Sequence, residues 1–466
     1  MQKMKMPNTL VLIFATVILI AILTWIVPGG EYTRQEIKVE GKTRIVPIAD
    51  SFKNIPHIGQ HIQVLTAPVK GFQEAAAIIV FLFIIGGAFF VIQETGAITV
   101  LISKTARFLS KNPSLKILFI PVIMTIFSAG GAIFGMSEEV MPFILIFVPL
   151  ALSLGYDTIV GVAIPFLGAA AGFGGAFFNP FTVGIAQGIA QIPVYSGLPY
   201  RILVWIISTG AAIAFVMIYA SKIQKNPEKS IVYEEDLVKR QELHITKNDT
   251  EVKVKKRHIA VLIAFVMGIV ILIIGILKWQ WYIEEIAGLF FAMGIICGIL
   301  GGLDLDHIAK SFATGAKDMM NPVLIIATAR GILIIAQDGK ILDTILHFLS
   351  TSISHFHPLI TAWLMFYVQC IINFFIHSGS GQAALTMPIM APLSDLVGIT
   401  RQTAVLAFQL CELINPVLPT SGVTMGILGL AMLPWTKWVK WFSPLLIIYI
   451  LLSMILLIWP VLTHWN

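Results

Sequence analysis

The chain has 466 residues, of which 57% are hydrophobic and 12% are charged, with a formal net charge of +6 and a mean hydropathy of +0.88. Soluble domains carry about 25% charged residues. This composition therefore excludes an ordinary soluble domain, and the many apolar runs of about 20 residues predict a polytopic membrane protein. The excess of basic residues lies in a few short loops, so it indicates membrane orientation and not a nucleic-acid partner.

The first half of the chain, residues 1–220, is predicted to form one membrane repeat. Two features depart from simple spans: a pair of half-spans too short to cross comfortably, and a longer apolar segment that contains glycines and an Asn-Pro pair. The predicted elements are a span at 9–27, a polar loop at 28–72, a span at 75–93, an interface helix at 98–114, a re-entrant hairpin at 115–154, a broken helix at 158–187 and a span at 198–220.

A change in composition separates the halves. Residues 221–257 hold ten Lys/Arg and seven Asp/Glu, which predicts a charged cytoplasmic linker. An extra linking span follows at 258–281, and a second membrane repeat covers 282–466. Its predicted elements are a span at 282–300, an amphipathic segment at 304–318, a span at 321–336, an interface helix at 339–352, a re-entrant hairpin at 359–396, a broken helix at 403–432 and a last span at 442–462.

The single extra span predicts that the two repeats are inverted in the membrane. Lys3 and Lys5 precede the first span, so the N-terminus is expected to be cytoplasmic, and this span lacks the cleavage pattern of a signal peptide. Counting spans from there, the second repeat starts on the opposite side. The predicted fold is therefore an all-α polytopic membrane protein with two inverted repeats, an arrangement found in many secondary transporters.

The two hairpin tips carry polar residues within apolar sequence. A charge near the bilayer centre costs about 2.5–3.5 kcal/mol, so such residues usually face a partner, water or cargo. The alternative is that the tips reach the interface and their side chains are simply solvated. The candidate residues are Ser137, Glu138 and Glu139 in the first tip and His377, Ser378, Ser380 and Gln382 in the second.

The two broken helices offer backbone groups and side-chain oxygens at matching places. Helix breaks expose N–H groups and carbonyls that bind anions and cations, respectively. The glycines at 168, 172 and 175 could instead serve close helix packing, which does not account for an Asn-Pro pair in both halves. The candidate binding residues are Asn179 and Thr182 in the first break and Asn415, Thr420 and Ser421 in the second.

Glu412 lies within an apolar helix just before the second break. A buried carboxylate in this position is expected to bind a cation, namely sodium, a proton or the ammonium group of a solute. The alternative is a structural ion pair with Arg330 or another buried base. Glu139, Glu412 and His377 are the candidates for coupling to sodium or protons, since histidine titrates near neutral pH.

Three segments resemble a known family. They are Asn179-Pro-Phe-Thr-Val-Gly-Ile-Ala-Gln-Gly188, His377-Ser-Gly-Ser-Gly-Gln-Ala-Ala384 and Pro416-Val-Leu-Pro-Thr-Ser-Gly-Val-Thr424. The chain is similar throughout to YfcC-like proteins of the anaerobic C4-dicarboxylate carrier (DcuC-type) family, within the ion transporter superfamily. This resemblance implies an elevator-type transporter, usually a homodimer, with a scaffold and a mobile domain that contains both hairpins and both broken helices.

The resemblance leaves the substrate open between dicarboxylates and amino acids. The hairpin tips hold no Arg or Lys to neutralise a dicarboxylate but do hold Glu138 and Glu139, which favours a solute with an amino group, such as arginine or ornithine. The expected function is thus secondary transport of a small charged organic solute, without a resident cofactor, across a bacterial cytoplasmic membrane. An intramembrane enzyme using His377 and Ser378, or a channel, is a remote alternative.

Overall fold

A computed structural model describes residues 9–39, 42–242, 254–279, 281–353 and 355–465. Lys3, Lys5 and the 243–253 part of the predicted linker lie outside the described residues. Within the described ranges, ten helical segments are long and apolar enough to cross a membrane. A mostly helical polytopic membrane protein is confirmed, whereas the predicted all-α class did not include the four short strands between residues 29 and 55.

The first half contains nine helices and four short strands among its described residues. Their bounds are α1 (Thr9–Ile26), β1 (Gly29–Glu31), β2 (Arg34–Val39), β3 (Lys42–Pro47), β4 (Lys53–Ile55), α2 (Gln63–Glu74), α3 (Ala76–Glu94), α4 (Ala97–Lys111), α5 (Pro113–Phe134), α6 (Met141–Ser153), α7 (Thr158–Gly174), α8 (Ile185–Ile189) and α9 (Leu198–Lys225).

The linking region and the second half are helical in the part of the chain that the structure describes. The bounds are α10 (Tyr233–Glu242), α11 (Lys256–Trp279), α12 (Ile283–Gly301), α13 (Leu305–Asp318), α14 (Met320–Asp338), α15 (Ile341–Ile353), α16 (Pro358–Phe375), α17 (Gly379–Leu396), α18 (Arg401–Cys411), α19 (Gly422–Leu430) and α20 (Trp435–Thr463). Each half thus contains a helical hairpin followed by an interrupted helix, whereas the inversion of the halves stays a prediction.

The polar loop predicted at 28–72 contains regular structure. β1 pairs with β4 and β2 pairs with β3, both antiparallel, and the loop then forms α2. The buried carboxylate of Asp343 on α15 accepts hydrogen bonds from the Tyr32 N–H and from Arg34. The loop is therefore fastened to the helix that precedes the second hairpin.

The first hairpin has one longer arm than the sequence predicts. Each arm of the hairpin was predicted to be too short to cross the membrane comfortably, whereas α5 has 22 residues and ends at Phe134. The Ser-Ala-Gly-Gly-Ala stretch stays helical because its small residues pack against α7. A Cβ atom on Gly131 would lie 2.2 Å from the Ala169 carbonyl oxygen, and one on Gly172 would lie 1.8 Å from that of Ser128. The glycines of this crossing serve close packing, which was the alternative reading of the pattern.

The membrane helices pack as two groups. Group A contains the hairpins, the interrupted helices and their flanking helices, namely α5–α9 and α16–α20. Group B contains α1–α3 and α11–α14, in which α2 lies against α14 and α3 lies between α12 and α13. The two groups meet where α19 contacts α14, so the interrupted helices lie beside the interface between the groups.

The linker helix α10 packs on the membrane helices, although the sequence predicted a solvated segment. The Asp236 carboxylate accepts hydrogen bonds from both the backbone N–H and the hydroxyl of Thr158, at the start of α7. Lys239 donates to the Ala431 carbonyl at the end of α19. Burial raises the pKa of Asp236 above its ordinary value. The linker thus joins the ends of both interrupted helices.

The tryptophans near the start of α20 pair with carbonyl groups of the second helix break. Trp438 is fully buried and Trp441 nearly so. The indole N–H of Trp438 donates to the Pro416 carbonyl and that of Trp435 to the Val417 carbonyl. Tryptophan combines a large apolar body with one donor, which suits it to a helix break that leaves carbonyls unpaired.

Replacing Gly172 with alanine tests the packing of α5 against α7. The added Cβ meets backbone atoms of Ser128, so the helices must separate, and overpacking of this kind costs about 1–3 kcal/mol. We expect a lower melting temperature for the purified protein in detergent. The control is Gly210→Ala on α9, where a Cβ has nothing within 4 Å. Equal melting temperatures for the two variants would contradict the close packing.

Replacing Asp236 with alanine tests the docking of α10. The change leaves the Thr158 N–H and hydroxyl without their acceptor, and a lost hydrogen bond to a charged group costs about 1.5–3 kcal/mol. We expect the linker to become more sensitive to limited proteolysis. Glu234→Ala, an exposed acidic position on the same helix, should leave the digestion pattern unchanged. A D236A protein digested no faster than the control would show that α10 does not depend on this contact.

Candidate functional site

A cavity of about 300 Å³ lies between the two groups of helices. Both hairpin tips and both helix breaks contribute to its walls. Its polar and charged lining residues are Glu74, Ser137, Glu138, Glu139, Tyr282, Arg330, His377, Ser378, Ser380, Glu412, Asn415, Thr420, Ser421 and Thr424. A cavity of this size can hold a small organic molecule.

The first tip is a short segment between α5 and α6 that ends in a 3₁₀ turn, Glu138–Val140. Gly135 ends α5 with a φ of +72°, a conformation that glycine adopts without a steric penalty. The Ser137 N–H then donates to the Glu139 carboxylate, with 2.9 Å between nitrogen and oxygen. Glu139 is thereby held inside the turn, where it is 7% exposed, while Glu138 lies beside it on the cavity wall.

Asn179 caps the resumed helix after the first break. Its side-chain oxygen accepts hydrogen bonds from the N–H groups of Phe181 and Thr182. The neighbouring Phe178 N–H donates to the Ala132 carbonyl on α5, at 3.1 Å. Asn179 and Thr182 are both fully buried and do not belong to the residues that line the cavity. Asn179 therefore shapes the break and pairs its backbone.

The second tip begins α17 directly at the cavity. Ser378 is the N-cap of this helix, and its hydroxyl accepts a hydrogen bond from the Gly381 N–H. The Nδ1 atom of the adjacent His377 has no hydrogen-bond partner among the described residues.

Gln382 points away from the cavity into a buried cluster of amides. Its Nε2 atom donates to the backbone and side-chain oxygens of Gln369, and Gln369 in turn donates to Thr386. All three side chains are at most 1% exposed. This cluster joins α17 to α16, so Gln382 fastens the two arms of the second hairpin together.

The second break places a carboxylate beside the cavity. Glu412 is 1% exposed, and one of its oxygens accepts a hydrogen bond from the Asn415 amide. Its other oxygen, like the side-chain oxygens of Asn415 and Thr420, has no donor within the described ranges. Ser421 caps α19 by accepting from the Thr424 N–H. The break therefore combines structural caps with unpaired acceptors.

The two interrupted helices touch where they break. A Cβ on Gly174 would lie 2.6 Å from the Leu413 side chain, and the Gln409 amide donates to the Phe173 carbonyl. A Cβ on Gly379 would lie 2.5 Å from the Thr182 methyl and 3.5 Å from a Glu412 carboxylate oxygen. Residues far apart in sequence therefore meet beside the second tip.

The structure brings most of the predicted binding residues to one cavity. Three predicted substrate-binding residues, Asn179, Thr182 and Gln382, lie behind its wall. Asn179 is turned inward because its side chain caps the resumed helix. Gln382 is turned inward because its buried amide is hydrogen-bonded to Gln369. The residues that do line the cavity are Ser137, Glu138, Glu139, His377, Ser378, Ser380, Glu412, Asn415, Thr420 and Ser421.

Sequence reasoning missed two charged residues of the cavity, Glu74 and Arg330, as members of the site. The Nε atom of Arg330 lies 3.1 Å from a carboxylate oxygen of Glu74. The alternative that paired Arg330 with Glu412 is therefore wrong. The available signal was an arginine in the middle of an apolar helix, a position usually reserved for a functional residue.

Comparisons with known proteins identify the family of the chain. The family described as C4-dicarboxylate anaerobic carrier matches residues 6–462. The chain belongs to this family. It is also 38% identical to an Escherichia coli K12 protein named "Putative basic amino acid antiporter YfcC", over 92% of this chain and 91% of that protein. The function class is thus a membrane transporter and not an enzyme.

Two further proteins resemble the chain. An uncharacterized protein of Haemophilus influenzae is 29% identical over 98% of this chain and 97% of its own length. The crystal structure of the Alcanivorax borkumensis YdaH transporter aligns with 97% of this chain and 98% of its own, at 14% identity and a TM-score of 0.40.

Replacing Gln382 with alanine distinguishes a hairpin fastener from a ligand-binding residue. The change leaves the buried side-chain oxygen of Gln369 without its donor, which costs about 1–3 kcal/mol. We expect a clearly lower melting temperature. Ser380→Ala, on the same helix but at the cavity, should melt like the unmodified protein. A Q382A variant of normal stability would contradict the structural role.

Proposed function

We propose that the chain is a secondary active transporter of small charged organic solutes, with amino acids such as arginine and ornithine as the preferred class. The charge of the cavity carries this proposal. Four carboxylates, Glu74, Glu138, Glu139 and Glu412, surround it, against one guanidinium, that of Arg330. Such a distribution attracts a solute with ammonium groups. The name of the Escherichia coli relative, which refers to basic amino acids, supports the same class.

The second candidate is a C4-dicarboxylate or another carboxylate, as the family description suggests. Two helix N-termini support it. α17 begins at Gly379 and α19 at Gly422, and both residues lie at the cavity. Helix N-termini present N–H groups and a partial positive charge to anions. Arg330 would add one full positive charge.

Alternating access is proposed to follow the division into two groups of helices. Group A, which contains both tips and both breaks, would move as the transport domain past group B, the scaffold. The proposal includes inverted repeats, a homodimer, a cytoplasmic N-terminus and a bacterial cytoplasmic membrane. The cavity at the interface between the groups supports this mechanism, because the solute would be held where one group slides along the other.

Coupling to sodium or protons is assigned in this proposal to Glu139, Glu412 and His377. The support is strongest for Glu412, whose carboxylate is buried and has one oxygen without a donor among the described residues. A buried carboxylate is costly when ionised and unpaired. Binding of a cation removes that cost, and it would thereby link the occupancy of the site to movement.

A ligand screen on the purified protein tests the substrate class. Thermal-shift measurements with amino acids and C4-dicarboxylates, each with and without sodium, should show stabilisation by the cationic amino acids. Counterflow in proteoliposomes, which an open channel cannot perform, should then show exchange of the stabilising solute. Stabilisation and exchange by dicarboxylates alone would establish the second candidate and overturn the first.

Replacing Glu412 with glutamine tests the coupling role. The variant keeps the shape of the side chain but cannot bind a cation by charge, so we expect uptake driven by an ion gradient to be lost in proteoliposomes while the protein still inserts and folds. Glu94→Gln, which removes a surface carboxylate near His307, is the matched control. Normal gradient-driven kinetics in E412Q would refute the role of Glu412.

A further inference from the structure

Arg330 is held at the cavity by tight packing of α2 against α14. A Cβ on Gly71 would lie 1.9 Å from the Ala327 carbonyl oxygen and 3.4 Å from the Cβ of Arg330. One turn away, Gly331 faces Ala67 at 3.1 Å. These small residues bring the two backbones together, so the end of α2 lies beside Arg330 in a fixed position.

The ion pair between Arg330 and Glu74 uses only one edge of the guanidinium group. The Nε atom donates to Glu74 at 3.1 Å, whereas the two terminal nitrogens make no hydrogen bond to the residues that the structure describes. A guanidinium has five donors in a planar fork, and its terminal edge matches a carboxylate with two parallel hydrogen bonds. That edge remains available to a ligand.

Both partners of this pair are accessible from the cavity. The Arg330 side chain is 31% exposed and that of Glu74 is 43% exposed, and both residues line the cavity wall. A half-exposed ion pair with a single contact contributes little stability. Glu74 can therefore be exchanged for the carboxylate of a solute without disrupting the packing of α2 on α14, which depends on the glycines.

The other charged groups of the cavity lie on group A. Glu138 is in the first tip and Glu412 is in the second break, whereas Arg330 and Glu74 are on group B. A solute between the groups thus meets a guanidinium on one side and carboxylates on the other. This pattern complements a molecule with a carboxylate at one end and an ammonium group at another, as in an amino acid.

We propose that Arg330 binds the carboxylate of the transported amino acid, and that Glu74 is the counter-ion that this carboxylate displaces. The inference rests on the proposed transport function and specifies its ligand contact. It separates an amino acid from the corresponding decarboxylated amine, which has the same ammonium groups but nothing for Arg330 to bind. Arg330 is then the residue that determines this specificity.

Pairs of ligands that differ only in the carboxylate test this assignment. Binding of arginine and agmatine, and of ornithine and putrescine, is measured on the full-length protein by thermal shift and by competition in counterflow. We expect the unmodified protein to prefer each amino acid by at least about tenfold, since a charge-assisted hydrogen-bond pair supports a factor of this size. Arg330→Gln should reduce this preference to near unity.

Three further variants separate recognition from structure. Arg401→Gln removes a guanidinium of similar exposure, 28%, that pairs with Asp395 outside the cavity, and it should keep the full preference. Arg330→Lys keeps the charge without the fork and should retain only part of the preference, which provides the test if the glutamine variant does not fold. Glu74→Gln removes the competing carboxylate and should increase the preference for the amino acid.

The outcomes distinguish this inference from the proposed function. If the unmodified protein binds neither amino acids nor amines but does bind dicarboxylates, the proposed substrate class fails. If it prefers amino acids and the Arg330 variants keep that preference while melting at a lower temperature, Arg330 is a structural ion pair and the inference is overturned. Loss of the preference in the Arg330 variants, with R401Q unchanged, establishes the contact.

Discussion

The interrupted helices depend on pairing the backbone groups that each interruption releases. In an apolar environment an unpaired N–H or carbonyl costs several kcal/mol. At the first break, the Asn179 side chain accepts from two N–H groups. At the second, Trp435 and Trp438 donate to two carbonyls, and the Thr424 hydroxyl donates to a third, that of Asn415. Without these partners the unpaired backbone groups would make the open conformation less stable than a continuous helix.

The position of each break could be predicted from the sequence, but its partners could not. Proline lacks the N–H group and clashes within a helix, so an Asn-Pro pair in an apolar segment indicates an interruption by local chemistry alone. The donors to the Pro416 and Val417 carbonyls come from α20, and no local pattern in the sequence connects these tryptophans with the break. Gln382 has the same polarity as its neighbours at the tip, and only the contact with Gln369 reveals that it faces inward.

The charged residues of the cavity were also only partly predictable from the sequence, because their partners lie far away along the chain. Arg330 was recognisable as an arginine in an apolar helix, yet its partner, Glu74, lies at the end of α2, a helix that begins inside the predicted polar loop. The contact depends on Gly71, whose missing side chain lets α2 lie against α14. Hydropathy and charge patterns identify apolar spans and buried charges, whereas the pairing of those charges depends on which small residues allow two helices to approach.

The polar atoms at the breaks divide into those that hold the structure and those that have no protein donor. Asn179 and Ser421 use their side-chain oxygens as helix caps. Oxygen atoms of Thr182, Glu412 and Thr420 have no donor in the described part of the chain, and leaving a buried acceptor unpaired costs about 1–3 kcal/mol. Thr182 and Glu412 come from different halves, yet both lie against Gly379 at the second tip. The second tip therefore contacts both breaks, through the Thr182 methyl group and a Glu412 carboxylate oxygen, and the proposed coupling depends on the Glu412 oxygen that has no donor among the described residues.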